Sequence, residues 1–171
     1  IAQEYGDDYY LRADEVVDLS KRQRTIDKVI TDCFEQIVYS INQPTGASHF
    51  QSVFWNISYY AHFYFESLFG EFRFTDGSRP SWPALASLQR RFMRWLNQER
   101  TRAVLTFPVE TMALLSKDGD AMDKDYADFT AEMYAEGHSF FTYMSDNADS
   151  LASCCRLRNE IQDNGFSYTL G

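Results

Sequence analysis

Apolar residues recur at Ile26, Val29, Ile30, Cys33, Phe34, Ile37, Val38 and Ile41, the three-and-four spacing that lines one face of a helix. Asp27, Lys28, Asp32, Glu35 and Gln36 fall on the other face. Asp14 or Ser20 can cap its start and Pro44 can end it, so a helix is predicted from about Asp14 to Ile41. Cys33 sits on the stripe and reads as a packed core thiol.

The pattern then changes period. Residues 51–58 are rich in β-branched and aromatic side chains and predict a strand, with Val53, Trp55 and Ile57 on one face and Phe54 and Asn56 on the other. Trp55 and Asn56 could line a pocket, although packing is the commoner fate of Trp. Residues 61–69 predict a short helix with Gly70 as a left-handed cap, followed by a surface loop to residue 81. Ser81 and Pro83 open another helix, with Leu85, Leu88, Phe92, Trp95 and Leu96 inward. Arg90, Arg91 and Arg94 read as its solvated side rather than an anion site. Residues 103–109 are nearly all apolar, which suits a doubly buried strand ending at Pro108. Asp118-Gly119-Asp120 is a turn, and residues 123–136 predict a helix with Tyr126, Phe129, Met133 and Tyr134 inward and Gly137 as terminator. Residues 139–144 are ambiguous, 145–153 have loop chemistry, and 166–170 form a last strand. Strands alternating with helices imply an α/β fold with parallel strands joined by crossovers.

Composition narrows the function classes. The 171 residues are 44% apolar and 16% aromatic, enough for one compact domain, and no break in composition divides residues 1–171. Twenty-five acids against 16 Lys plus Arg give a net charge of −9, which argues against phosphate-driven binding of DNA or RNA. No apolar run approaches the ~20 residues that span a bilayer. Three cysteines, two of them adjacent, make no disulfide framework and suit a reducing, cytoplasmic setting. The chain starts at Ile1 and stops at Gly171 directly after a strand-like run, so it is expected to be a piece of a longer protein.

Generic chemistry is sparse. There is no Gly-rich phosphate loop, and His49, His62 and His138 lack metal-ligand spacing, so no metal site is assigned. No nucleophile elbow supports a hydrolytic triad. The unusual constellation is Ser153-Cys154-Cys155-Arg156, where nearby cations favour thiolate. Taken by itself it reads equally as a reactive site or as two inert cysteines.

Several segments, in order, carry a family resemblance: residues 51–60, Tyr64-Phe65-Glu66-Ser67-Leu68-Phe69-Gly70, Leu105-Thr106-Phe107-Pro108-Val109-Glu110-Thr111, Ser145-Asp146-Asn147-Ala148-Asp149-Ser150-Leu151, and Ser153-Cys154-Cys155-Arg156-Leu157-Arg158-Asn159. Together they resemble the large subunit of the anaerobic (class III) ribonucleoside-triphosphate reductases across nearly the whole chain. The resemblance implies a helix-rich part of the ten-stranded α/β barrel of ribonucleotide reductases and glycyl-radical enzymes, with residues 1–171 a single segment of that catalytic domain. It also implies a thiyl radical that removes the ribose 3′ hydrogen, with water then leaving from C2′ and formate as reductant. The radical cysteine of the family directly precedes an arginine, which corresponds to Cys155, with Cys154 and Arg156 as substrate-contacting neighbours. Many relatives have Met-Gly where Ser153-Cys154 stands here. Sulfur suits the task, because it can take and return a hydrogen, and a loop inside a closed barrel keeps such a radical from solvent.

The same resemblance implies a ribonucleoside triphosphate substrate, ATP and dNTP effectors, a homodimer, and a radical SAM activating enzyme. The glycyl radical and a zinc site of the family lie outside this chain, as do its second active-site cysteine and its ATP-binding regulatory cone. Effectors bind such relatives at a dimer interface built from helices that precede the barrel loop. The apolar stripe of the first long helix points to core packing instead, and no effector residue is assigned. Two other readings stand beside this one: a standalone helical interaction domain with a redox-sensitive Cys154-Cys155 pair, and a diverged glycyl-radical enzyme with another substrate.

Overall fold

The computed structural model describes residues 1–18, 23–43 and 53–148, and the backbone of the strands at 150–152, 157–162 and 165–170. In chain order the elements are α1 (Ala2–Tyr5), a 3-10 turn (Tyr9–Leu11), β1 (Val16–Asp18), β2 (Arg24–Thr25), α2 (Ile26–Asn42), β3 (Asn56–Tyr60), α3 (His62–Phe69), α4 (Trp82–Arg100), β4 (Val109–Lys117), β5 (Asp120–Ala121), α5 (Lys124–Ala135), β6 (Phe141–Ser145), β7 (Ser150–Ala152), β8 (Leu157–Gln162) and β9 (Gly165–Leu170). They fall into two compact units, residues 1–55 with 81–107 and residues 56–80 with 108–171.

The first unit is helical. Thr25, not Asp14 or Ser20, caps α2: its Oγ1 accepts the Lys28 N–H at 3.2 Å. The helix therefore starts well after Asp14, because residues 13–15 are held in a turn that feeds backbone bonds to Ile26 and Asp27. Pro44, predicted to end it, lies outside the described residues. Ile26, Ile30, Phe34 and Val38 form one fully buried i,i+4 ridge. Cys33 is only half-buried and Ile37 is 49% exposed, so the buried face is narrower than the apolar stripe and Cys33 is not a core thiol.

Ser81 caps α4 as predicted, accepting from Ala84 N–H at 3.5 Å. Phe34 meets Phe92 edge-on at 4.9 Å and Trp95 at 5.7 Å, an aromatic seam between α2 and α4. The buried face of α4 also takes in Met93 and Gln89, while Leu85 and Leu88 are half-buried. Arg90, Arg91 and Arg94 are half-buried rather than solvated, and Arg91 pairs with Asp27. Tyr9 is buried and its hydroxyl donates to Ala84 O at 2.6 Å.

The second unit is a parallel sheet in the order β3-β4-β6, with β5 folded back on the end of β4. Asn56 pairs with Val109 through to Tyr60 with Ala113, and Thr111 with Phe141 through to Leu115 with Ser145. The expected parallel strands are thus present. Three positions differ from expectation. The strand predicted at 51–58 is β3, with residues 53–55 outside it and Gln51 and Ser52 outside the described residues. The strand predicted at 103–109 begins instead at Val109, and Val104 is 99% exposed. The reason is local: Phe107 gives its backbone N–H and C=O to the Asn42 side chain, and Pro108, which has no N–H, precedes the strand instead of ending it. Gly70 ends α3 with φ −59°, in right-handed rather than left-handed backbone.

One face of β4 packs Ala113 and Leu115 against Tyr64 and Leu68 of α3, flanked by Tyr60 and Tyr143. Alternation puts Glu110, Met112 and Leu114 on the other face, and all three are buried. Asp118 and Gly119 both have positive φ, 54° and 90°, as a tight hairpin turn between β4 and β5 requires. Gly137, at φ 84°, terminates α5 as predicted. Tyr126, Phe129 and Met133 point inward, but Tyr134 is exposed and stacks on Phe140 at 4.2 Å. Of residues 139–144, ambiguous by pattern, 141–144 belong to β6, which runs on to Ser145.

The region read as loop holds β7, which pairs antiparallel with β8, and β9 pairs antiparallel with β8 in turn. The last strand therefore exists as expected, in an antiparallel three-stranded sheet instead of the parallel one.

Candidate active site

Two features of the second unit have the chemistry of a site. The first is buried. Glu110 is an acid in the run Val109-Glu110-Thr111-Met112-Ala113-Leu114-Leu115, whose other members are apolar but for Thr111. Its side chain and that of His138 are both 0% exposed. Tyr59 Oη donates to Glu110 Oε1 at 2.6 Å, and His138 Nε2 stands 3.2 Å from Oε1 and 3.1 Å from Oε2. The imidazole and the carboxyl thus meet edge to edge, with the tautomer of His138 setting which of the two donates. His138 Nδ1 is buried with no hydrogen-bond partner among the described residues. A carboxylate taken so far from water is costly unless it is paired and hydrogen-bonded in this way.

Secondary structure sets each member. Tyr59 lies on β3 opposite Met112 of β4, so it shares a face with Glu110. His138 follows the left-handed Gly137, and its N–H closes on Met133 O at 3.0 Å, which turns the chain from α5 back toward β4. Burial pushes the neighbouring Tyr60 phenol above its ordinary value, partly offset by a hydrogen bond from Ser58, so Tyr60 stays neutral.

The second feature is an open cleft of about 710 Å³ at the carboxyl ends of β4 and β6, lined by residues 116–119 and 143–146. Open α/β sheets bind ligands at this edge of their strands. Ser145 Oγ donates to Asn147 O at 2.9 Å and accepts Asn147 N–H at 3.2 Å, a compact turn that caps β6. Beyond it the chain runs through β7 toward Cys154 and Cys155. Cys154, Cys155 and Arg156, the residues singled out from the sequence, lie outside the described residues. The strands that flank them, β7 and β8, pair antiparallel, with Ala152 opposite Arg158.

Among the described residues no group of three or more His, Cys, Asp or Glu side chains could hold a metal ion. His62 lies at the start of α3, 3.6 Å from Glu66, and His49 is outside the described residues. No helix among them is long and apolar enough to cross a membrane.

A parallel sheet with helical crossovers and a polar cleft at its carboxyl edge defines an α/β fold. The chain belongs to the anaerobic ribonucleoside-triphosphate reductase family, whose family model matches residues 7–170. Its fold is similar to that of the anaerobic ribonucleotide reductase of Thermotoga maritima. The structure of that protein in complex with dATP and CTP is 33% identical, with a TM-score of 0.68 over 81% of this chain and 22% of that chain. Its structure with citrate in the active site gives 32% and 0.67, over 78% of this chain and 23% of that one. With dATP bound in the specificity site, the values are 32% and 0.68 over 78% and 22%. This chain thus spans less than a quarter of the length of those proteins. No curated protein sequence matches it.

Tyr59, Glu110 and His138 were not singled out by pattern. One signal was legible: an acid inside an otherwise apolar run that forms a buried strand needs a partner. The partners could not be read, because Tyr59 and His138 are distant in sequence.

Proposed function

We propose that this chain is a segment of the catalytic domain of an oxygen-sensitive ribonucleoside-triphosphate reductase, residues 1–171 forming one part of its ten-stranded α/β barrel. The observation that carries the reading is the family match across residues 7–170, which runs through Ser153-Cys154-Cys155-Arg156. The parent's glycyl radical, outside this chain, supplies the oxidising equivalent that generates the cysteine radical. The Cys155 sulfur takes the 3′ hydrogen of the ribose and later returns it, while Cys154 and Arg156 contact the substrate. Water leaves from C2′, and formate, oxidised to carbon dioxide, supplies the two electrons. The protein's contribution is to hold the sugar within reach of one sulfur and to keep water away.

Nucleoside triphosphates are the substrate class and ATP and dNTPs the effectors, a reading supported by the dATP and CTP in the T. maritima complex. The parent acts in the cytoplasm as a homodimer, activated by a radical SAM enzyme, with its zinc held outside this chain. The charge of −9 supports neither a nucleic-acid nor a membrane partner.

The test is made in the full-length protein. Cys155→Ala abolishes deoxyribonucleotide formation while nucleotide binding persists, and Cys154→Ala weakens nucleotide binding, raising KM, without abolishing turnover. Reduction that survives Cys155→Ala overturns the assignment.

A further inference from the structure

The charge on α4 is arranged in a way that a solvated helix face does not require. Arg90, Arg91 and Arg94 occupy two successive turns, with Arg90 and Arg94 at i,i+4, and α4 supplies no acid before Glu99. Like charges at this spacing weaken a helix, whereas acids and bases that alternate along a face support it. All three arginines are half-buried, and all three line one groove of about 580 Å³ between α2 and α4. The groove lies wholly within the first unit.

Part of the lining is apolar: Ile30 and Phe34 of α2, and Trp95 of α4. Phe34 and Phe92 hold the Trp95 ring in tilted contact at 5.7 and 5.8 Å, so the indole is fixed by packing while part of it lines the groove. The rest is charged. Among the described residues of the lining, three guanidinium groups face one carboxylate, that of Asp27, which pairs with Arg91. This local excess of two positive charges stands in a chain of net charge −9. The arginines already interact with neighbours, but a guanidinium carries several N–H donors, and one contact leaves others for a ligand. A phosphate monoester, close to doubly charged at neutral pH, matches that excess better than a carboxylate does. Guanidinium groups recognise phosphate through paired N–H donors, and a flat ring stacks on indole. Cavities of this size, part apolar with a few polar groups, hold small organic ligands.

We infer that the groove between α2 and α4 binds a small organic phosphate that carries a flat ring, the phosphate against Arg90, Arg91 and Arg94 and the ring against Trp95. The site needs no residue outside the first unit, and it stands whether or not Cys155 has the role proposed above.

The experiment uses the full-length protein and phenylglyoxal, which modifies arginines, with each modified residue located by peptide mass spectrometry. Phenyl phosphate is the probe. At ~5 mM, for a Kd near ~1 mM, it slows modification of Arg90, Arg91 and Arg94 about fivefold or more. The exposed Arg73 and Arg79 are unaffected and serve as reference. Inorganic phosphate, which lacks the ring, needs about fivefold more for the same protection. AMP runs beside it: stronger protection than by phenyl phosphate assigns the ring to a nucleobase, weaker protection to a smaller aryl group. Arg94→Gln raises the Kd read from Arg90 and Arg91 about tenfold. Trp95→Leu removes the advantage of phenyl phosphate over inorganic phosphate, and should it fold poorly, Arg94→Gln still decides the site. No protection at ~20 mM phenyl phosphate overturns the inference. Equal protection of Arg73 and Arg79 overturns it too, because it marks non-specific attraction of anions. Phenyl phosphate no better than inorganic phosphate in the wild-type protein overturns the part given to Trp95.

Discussion

The side chain of Asn42 grips the backbone of Phe107 at two points, its Nδ2 donating to Phe107 O at 2.8 Å and its Oδ1 accepting Phe107 N–H at 3.0 Å. The carboxamide thus takes the place of a neighbouring strand for one residue, at the last turn of α2 and just before Pro108. Asn42→Ala leaves both backbone groups without that partner and is expected to cost about 2–3 kcal/mol. Asn42→Asp keeps the acceptor only and is expected to lose about half as much. Urea unfolding midpoints check the order; equal stability of all three proteins contradicts it.

Asp123 serves two helices with one carboxylate. Oδ1 accepts the Tyr126 N–H at 3.1 Å, capping α5, and Oδ2 accepts the His62 N–H at 2.8 Å at the start of α3. Each cap is worth about 1 kcal/mol, so Asp123→Ala is expected to lose roughly 2 kcal/mol, about twice the loss from Ser81→Ala at the single cap of α4. Thermal denaturation of the two variants side by side gives the ratio, and a ratio near one rules out the double role.

Val104 and Met112 make a second contrast. Met112 has no exposed surface, and Met112→Ala is expected to cost about 2–5 kcal/mol through the cavity it leaves. Val104 is almost wholly exposed despite its apolar neighbours, and Val104→Thr is expected to change stability by less than about 0.5 kcal/mol. A large loss from Val104→Thr would place residues 103–105 in a buried strand after all.

Asp32 gives a pH signature. Lys28 Nζ at 2.7 Å and Arg24 Nη1 at 3.1 Å hold its carboxyl below the ordinary 3.8, against a smaller opposing effect of burial. The same contact raises Lys28 above its ordinary 10.5. A carboxyl depressed in the native state contributes fully above its unfolded value, and that contribution is lost as pH falls through the native one. For Lys28 the contribution is present below the unfolded value and lost as pH rises through the native one. Asp32→Asn should therefore be less stable than wild type at neutral pH, by less than about 1 kcal/mol because Lys28 is half exposed, and the gap should close in acid and shrink in salt. Chemical denaturation across that range reads it directly; a gap that widens in acid contradicts the pairing.

Much of the architecture was legible because it rests on local rules. Ser81 and Gly137 mark helix ends by their own chemistry, and the ridge Ile26, Ile30, Phe34, Val38 is a plain consequence of helical spacing. What failed depends on partners distant in sequence. Residues 103–109 look like a strand by composition, yet Asn42 consumes the hydrogen bonds of Phe107. Ile37 belongs to the apolar stripe but stays about half exposed among the described residues. β6 was obscure because only Tyr143 of its apolar side chains packs on the core, while Phe141 and Met144 stay largely exposed. Cys155 is assigned through resemblance, not through spacing, and lies outside the described residues. The Glu110 cluster joins residues 59, 110 and 138, a meeting created by the parallel pairing of β3 and β4 together with the turn that returns the chain after α5.

That pairing bears on the order of synthesis. The ribosome completes β3 and α3, and then all of α4, before the first residue of β4 exists. The middle strand of the sheet is therefore made after its neighbour has waited, which is a non-local closure and slow by nature. Nascent β3 therefore leaves Tyr59 and Tyr60 uncovered, open to association with other chains, until Met112 and Ala113 arrive opposite them.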